Sequence, residues 1–329
     1  MKKRVLGLNT FNNNDMPGLT IVIPYLNEKD GIEEYCSTID QYAKRIDHPL
    51  ELVFVDDGSS DGTGEKINAF TFQCVKKIKI ITLSKNYGSH AAIRAGVLHA
   101  SYDICTWMGS DLQEPIEFLD ISYQKICEGY DAVYVEKNSI KVAVANRCFS
   151  KIYSTLMRKY AVKNYSSGGI SNIMFNRKII ELLNKNIESN SSIMLQIMDA
   201  GFKNYTISLD YKERSAGTSK WTLTKKVKLF IDSFVAFSFM PIRLVSIIGV
   251  LIFVLGIIIG VATIINKIVS PSVPIGYSTL ASIMALGFGI TNISLGIIAE
   301  YLWRAYDAAR KRPVFVISDI AILKSEEKE

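Results

Sequence analysis

The sequence predicts an α/β protein: a mostly parallel sheet with helices on both faces, followed by an interfacial helix and a two-helix transmembrane hairpin. Three observations carry this expectation. Between residues 19 and 136, short runs rich in β-branched residues alternate with helical patterns, as in a parallel sheet buried on both faces. Residues 244–266 and 275–299 are two uncharged, strongly apolar stretches, each with the roughly 20 residues a bilayer-spanning helix needs. The length of 329 residues allows one large α/β core with an appendage.

Taken in order, residues 1–18 form an N-terminal tail. "MKKRVLGLNTFNNNDMPG" starts basic but runs into polar asparagines with no apolar core, which excludes a signal peptide. Residues 19–220 form the large domain. Its strand candidates are "LTIVIP", "LELVFVDD", "KIKIITLS", "DICTWMGSD" and "DAVYVEK", with amphipathic segments such as "GIEEYCSTIDQYAKRI" and "HAAIRAGVLHA" between them. A helix over 141–160 follows, then a turn and strand in "SSGGISNIMFN", two short helices, the strand "NYTISLDY" and the polar loop "KERSAGTSK".

Residues 221–243 read as an interfacial helix, three lysines preceding "FIDSFVAFSFM". The hairpin occupies 244–299, with spans at 244–266 and 275–299, and 300–329 form a tail. Lys225, Lys226, Lys228 and Arg243 precede the hairpin, and Arg304, Arg310, Lys311 and Arg312 follow it. That bias puts both ends, and the large domain, on the cytoplasmic side of a multi-pass cell-membrane protein.

Composition excludes several classes. The five cysteines are scattered, with no CxxC pair and no histidine spaced to complete a zinc site. "FVDDGSSDGTGEK" lacks the GxxxxGK[ST] pattern, which excludes a nucleotide-hydrolysing phosphate loop. Three strand candidates end in polar or acidic residues: Asn27 and Glu28, Asp56 and Asp57, and Asp111. In open parallel sheets ligands sit at the carboxyl ends of strands. A strand-end carboxylate there can accept from a base N–H or a ribose hydroxyl; DDGSSDGT also reads as a turn with helix-capping Ser and Asp. Arg147, Lys151 and Arg158 fall on one helical stripe, either a solvated face or a basic surface turned to lipid phosphate. His48, His90 and His99 form no cluster in the sequence and read as structural.

In order and spacing, "VIPYLNE", "VDDGSSDGT", "LSKNYGSHAAIRAG", "SDLQEP" and "ERSAGTSKW" resemble family 2 glycosyltransferases, and within them the polyprenyl-phosphate branch similar to dolichol-phosphate mannose synthases and bacterial bactoprenol glucosyltransferases. The resemblance implies a GT-A-like nucleotide-sugar fold and a membrane-anchored, inverting hexosyltransferase of cell-surface glycan assembly. By the same resemblance Pro24 and Glu28 approach the nucleoside, Val55 and Asp57 the base, and Asp111 and Gln113 a Mg²⁺ or Mn²⁺ ion and the diphosphate. The implied partners are a nucleoside diphosphate sugar, a UDP-sugar by analogy with bacterial relatives, and a polyprenyl phosphate in the membrane, with no nucleic acid; a homo-oligomer stays open.

Two departures stand out. Leu26 occupies the place where the family has an aromatic residue, and Tyr25 precedes it; Gly109 stands where the family has the first Asp of Asp-x-Asp. In an extended strand residues two apart share a side, so Asp111 and Gln113 are expected to offer oxygens to one cation. Arg147, Lys151, Arg214, Ser219 and Lys220 are the candidate phosphate and acceptor contacts, with Asp111, Arg214 and Lys220 expected to act in catalysis. A saccharide-hydroxyl acceptor and a non-catalytic nucleotide-sugar or lipid-binding scaffold remain alternatives.

Overall fold

The computed structural model describes residues 16–137, 155, 158–159, 170–188, 192–210, 240–269, 277–310 and 312–324. The chain divides into two units, Met1–Lys228 together with Pro313–Glu329, and Leu229–Arg312.

In the first unit, β1 (Leu19–Tyr25), β2 (Leu50–Asp56), β3 (Lys77–Leu83), β4 (Ile104–Trp107), β5 (Ala132–Lys137), β6 (Ile170–Asn176), β7 (Asn204–Leu209) and β8 (Ile317–Lys324) build one sheet. Their spatial order is β7-β5-β6-β4-β1-β2-β3-β8. The central ladders β4–β1, β1–β2 and β2–β3 are parallel, as is β5–β7. β6 runs antiparallel to both its neighbours, and β8 runs antiparallel to β3. All five leading strand candidates are strands. Every residue of β2 is buried, as is all of β1 but the half-buried Pro24, which is why these segments read as continuous apolar runs rather than alternating ones.

Helices α1 (Ile32–Ala43), α2 (Thr63–Ala69), α3 (Ser89–Leu98), α4 (Glu117–Cys127), α5 (Arg177–Lys185) and α6 (Ile193–Asp199) accompany the strands. α1 buries Ile32, Tyr35, Cys36, Ile39 and Tyr42, one stripe at helical spacing. α3 packs on β1 so closely that a Cβ at Gly96 would lie 2.2 Å from Val22 Cγ1, an approach only glycine permits.

At the amino end of β2, Glu51 is fully buried. Its carboxylate accepts from Thr20 Oγ1 at 2.7 Å, Ser101 N–H at 2.7 Å, Ser101 Oγ at 2.8 Å and Lys79 Nζ at 3.0 Å. Burial pushes its pKa up, but those donors outweigh it and hold the carboxyl below the ordinary range.

The segment 300–329, expected as a tail, contains the end of a long helix and then β8, which closes the β3 edge. The Ser318 hydroxyl donates to Thr82 O at 3.0 Å. The second unit contains α7 (Met240–Val269, 30 residues) and α8 (Tyr277–Arg310, 34 residues). Ile247, Val250, Leu251, Val254, Leu255 and Ile258 of α7 are exposed. Over the described residues, no helix is long and apolar enough to cross a membrane. The sequence is uncharged throughout 244–266 and 275–299, and the expectation of two spans rests on it. The helix expected over 141–160 (apart from 155, 158 and 159), the loop 211–220 and the greater part of the interfacial helix, 221–239, lie outside the described residues.

Candidate active site

The carboxyl ends of β1, β2 and β4 place the candidate residues along one rim of the sheet. Pro24 and Glu28 are half-buried at the β1 end, and Val55 lies in the core. Asn27 takes a left-handed φ of 53°, a conformation asparagine tolerates better than most residues. There its N–H donates to Ser59 Oγ at 3.1 Å, and its Oδ1 accepts from Ser60 N–H at 2.9 Å. Glu28 N–H donates to Thr63 Oγ1 at 3.0 Å and Lys29 N–H to Asp61 Oδ2 at 3.0 Å. The loops after β1 and β2 are thereby laced together by DDGSSDGT.

Asp57 is 4% exposed. It accepts from Tyr87 N–H at 2.7 Å and from Gly88 N–H at 2.9 Å, tying the loop after β3 to the same rim. Burial pushes its carboxyl above the ordinary value against the pull of those donors, and the neighbouring Asp56 charge adds to the rise. Gly58, with φ +83°, passes under that loop, where a Cβ would come 2.9 Å from Asn86 N.

β4 ends at Trp107, and the next residues turn rather than continue extended. Leu112 has φ +50°, so Asp111 and Gln113 do not project from one face of a strand as the two-residue spacing suggested. Instead Gln113 N–H donates to Asp111 Oδ1 at 3.3 Å. Position 109 still faces Asp111: a Cβ there would lie 3.2 Å from Asp111 Oδ1, with only one other heavy atom, Asp111 Cγ, within 4 Å. A side chain at 109 would therefore lie beside the Asp111 carboxylate.

Glu114 and Asn172, neither of them among the candidate site residues, lie behind this turn. Glu114 is half-buried as a residue, but its carboxyl is enclosed. It accepts from Gly109 N–H at 3.3 Å and from Asn172 Nδ2 at 3.1 and 3.2 Å. Burial pushes its pKa up to about 8 against those donors, and the Asp111 charge adds to the rise. Tyr35, wholly buried on α1, has its own pKa raised by burial and then by the Glu114 charge. Asn172 is 0% exposed on β6; a buried asparagine inside the apolar "ISNIMF" was the available signal.

Among the described residues, no three His, Cys, Asp or Glu side chains cluster as metal ligands. Asp111 offers a hard oxygen donor of the kind Mg²⁺ or Mn²⁺ takes, but such an ion would need substrate phosphates and water to complete its coordination. Arg147, Lys151, Arg214, Ser219 and Lys220 lie outside the described residues.

The profile of glycosyl transferase family 2 matches residues 20–183. A Bacillus subtilis protein named as a glycosyltransferase, CsbB, is 30% identical over 305 residues, covering 92% of each chain. An undecaprenyl-phosphate 4-deoxy-4-formamido-L-arabinose transferase of Shewanella sediminis is 29% identical, covering 94% of this chain and 95% of its own. Its Proteus mirabilis counterpart is 26% identical, covering 94% and 96%. Among solved structures, a mannosyltransferase from Pyrobaculum calidifontis in complex with GDP-Man and Mn²⁺ aligns with TM-score 0.44 at 16% identity, covering 89% of this chain and 88% of its own.

Proposed function

The chain belongs to glycosyl transferase family 2 and is a glycosyltransferase; from that premise we propose that it is a membrane-anchored, inverting enzyme moving one sugar from a nucleoside diphosphate donor, a UDP-sugar, to polyprenyl phosphate at the cytoplasmic face. The observation that carries the acceptor is end-to-end similarity to relatives named undecaprenyl-phosphate transferases, over 94% of this chain.

The chemistry fits that acceptor. A phosphate monoester has a second pKa of about 6, so at neutral pH it is already a dianionic nucleophile. Its oxygen bonds to the anomeric carbon while the bond from that carbon to the diphosphate breaks, and the nucleoside diphosphate leaves with the electron pair. No proton needs removing. The enzyme's task is to hold two anions close together and stabilise the leaving group. Arg147, Lys151, Arg214, Ser219 and Lys220 are proposed to hold phosphate oxygens, Pro24, Glu28, Val55 and Asp57 the nucleoside, and Asp111 and Gln113 a Mg²⁺ or Mn²⁺ ion. A bound divalent cation would supply charge neutralisation at the departing diphosphate.

Chain topology supports the membrane part of the reading. The chain leaves the sheet-bearing unit after Lys228 and returns to it at Pro313, and β8 joins the sheet that begins with β1. Any crossings between those points must be even in number, and the two uncharged stretches provide two. Thirty residues of α7 extend about 45 Å at 1.5 Å each, more than the roughly 30 Å hydrocarbon core.

The test is to give purified full-length protein labelled UDP- and GDP-sugars with polyprenyl phosphate, and then extract lipid. A mild-acid-labile lipid-linked monosaccharide is expected, falling about a hundredfold or more in Asp111→Ala and sharply in Arg214→Ala or Lys220→Ala. Label entering lipid only when a glycan-bearing lipid is supplied would establish the hydroxyl acceptor instead. No transfer and no nucleotide binding would return the chain to the scaffold alternative.

A further inference from the structure

We propose that Glu114 and Asn172 are positioning residues that hold Asp111 in place for a cation, compensating for the missing carboxylate at 109. This rests on the metal reading above. The β4–β6 ladder pairs only Ile104 with Asn176 and Cys105 with Phe175, so the backbone ladder stops two residues short of the strand end. The Asn172 side chain bridges the gap. Its amide nitrogen donates to Trp107 O at 2.6 Å and to both Glu114 oxygens. Its Oδ1 accepts from Ile173 N–H at 2.7 Å and Thr106 Oγ1 at 3.2 Å. The orientation is fixed: a flipped amide would turn its donors on the Ile173 N–H and its acceptor on a carbonyl and a carboxylate.

Glu114 carries the bridge onward to Gly109 N–H at 3.3 Å. The segment 109–114 is therefore fastened to β6 through its two ends, with Asp111 between them. Leu112 packs against the hydrophobic core and Ser110 is buried; the fastening adds to these at the two ends of the segment. Gly109 brings the backbone freedom of glycine, and Leu112 sits at φ +50°, a conformation that persists only where its surroundings enforce it. A second carboxylate ligating the same ion would have pinned residue 109 directly. Glu114 does not itself replace that ligand: no Glu114 atom lies within 4 Å of a Cβ built at 109, so it grips the backbone from the N–H side while the side-chain side stays open to Asp111.

The experiment measures Mn²⁺ affinity of the full-length protein by electron paramagnetic resonance, with UDP or GDP present, alongside transfer kinetics at varied Mn²⁺. Asn172→Ala and Glu114→Gln should each weaken Mn²⁺ binding about tenfold, the usual scale for an outer residue that orients a ligand. The apparent KM for Mn²⁺ should rise, with kcat largely restored at saturating metal. Adding Gly109→Asp to Asn172→Ala should recover the affinity, which a purely structural defect would not allow. If Asn172→Ala does not fold, the isosteric Glu114→Gln carries the same comparison. Folded variants whose Mn²⁺ affinity stays within about twofold of wild type overturn this inference alone. A wild-type protein that binds no Mn²⁺ with either nucleotide overturns the metal reading, and the inference falls with it.

Discussion

Gly109→Asp restores the carboxylate that the turn after β4 lacks, and it is expected to destabilise the protein without metal and to have that cost offset with it. Gly109 is not among the positive-φ glycines, and among the described residues its Cβ position is bordered by Asp111 alone, at 3.2 Å. An aspartate there needs a small shift of the Asp111 side chain and places its carboxylate beside that of Asp111. Two like charges about 4 Å apart repel by about 4 kcal/mol at an effective dielectric of 20. Both groups are partly exposed and can rotate apart, which reduces this to about 1–2 kcal/mol in salt. In chelator the variant should melt about 2–8 °C lower, at roughly 2–4 °C per kcal/mol for a unit of this size.

A divalent cation between the two carboxylates offsets the repulsion. Tenfold tighter binding corresponds to about 1.4 kcal/mol, which appears as added ligand-linked stability at saturating metal. Melting curves in chelator and in excess Mn²⁺ with UDP should thus show a larger metal-induced shift for Gly109→Asp than for wild type, with isothermal titration giving the tighter affinity directly. Equal melting temperatures in chelator, together with equal metal-induced shifts, would refute the claim that position 109 and Asp111 face one cation.

Two further outcomes are expected. Glu51→Ala leaves Lys79 without its buried partner and should cost about 3–5 kcal/mol in urea unfolding; because the folded pKa of Glu51 is depressed, its contribution is present above the unfolded value near 4.3 and is lost as pH falls through the folded value, so a wild-type stability profile that shows no greater acid sensitivity than Glu51→Ala would refute this role. Thiol labelling at Gly31→Cys, where a Cβ meets nothing within 4 Å, and at Ser325→Cys, with the native cysteines replaced, should place both on the cytoplasmic side, and labelling on opposite faces would remove the two-span hairpin.

The central sheet was legible because its strands are buried on both faces, and burial writes itself locally into runs such as "LTIVIP" and "LELVFV". β8 was not, because "ISDIAILK" is short and its partner lies far back in the sequence: Ser318 reaches Thr82 across 236 positions and two long helices. Periodicity reports which face is buried, not which strand buries it. The candidate site divides the same way. Asp57, Asp111 and Glu28 follow the ends of apolar runs, which is what singles them out in the sequence. The two-residue spacing predicts an extended 111–113 because leucine carries no turn signal, whereas Leu112 sits at φ +50° in a segment that Glu114 ties to Asn172, 58 residues away.

The two readings of DDGSSDGT, a capped turn and a nucleoside-facing rim, turn out to be compatible. Asp56 Oδ1 accepts from Ser59 N–H at 2.7 Å, and Asp61 accepts from Lys29 and Thr63, so the structural role is real. Asp57 is likewise occupied by Tyr87 and Gly88 N–H groups. A carboxylate, however, has about four lone-pair sites, and two backbone donors leave capacity for a ligand donor. Those bonds also fix the carboxylate before any ligand arrives, so less ordering remains to oppose binding. The loops after β1, β2 and β3 are thus held in one arrangement by the side chains proposed to face the nucleoside. Asp111 follows the same plan through Glu114 and Asn172. The site engages its carboxylates first in building its own rim.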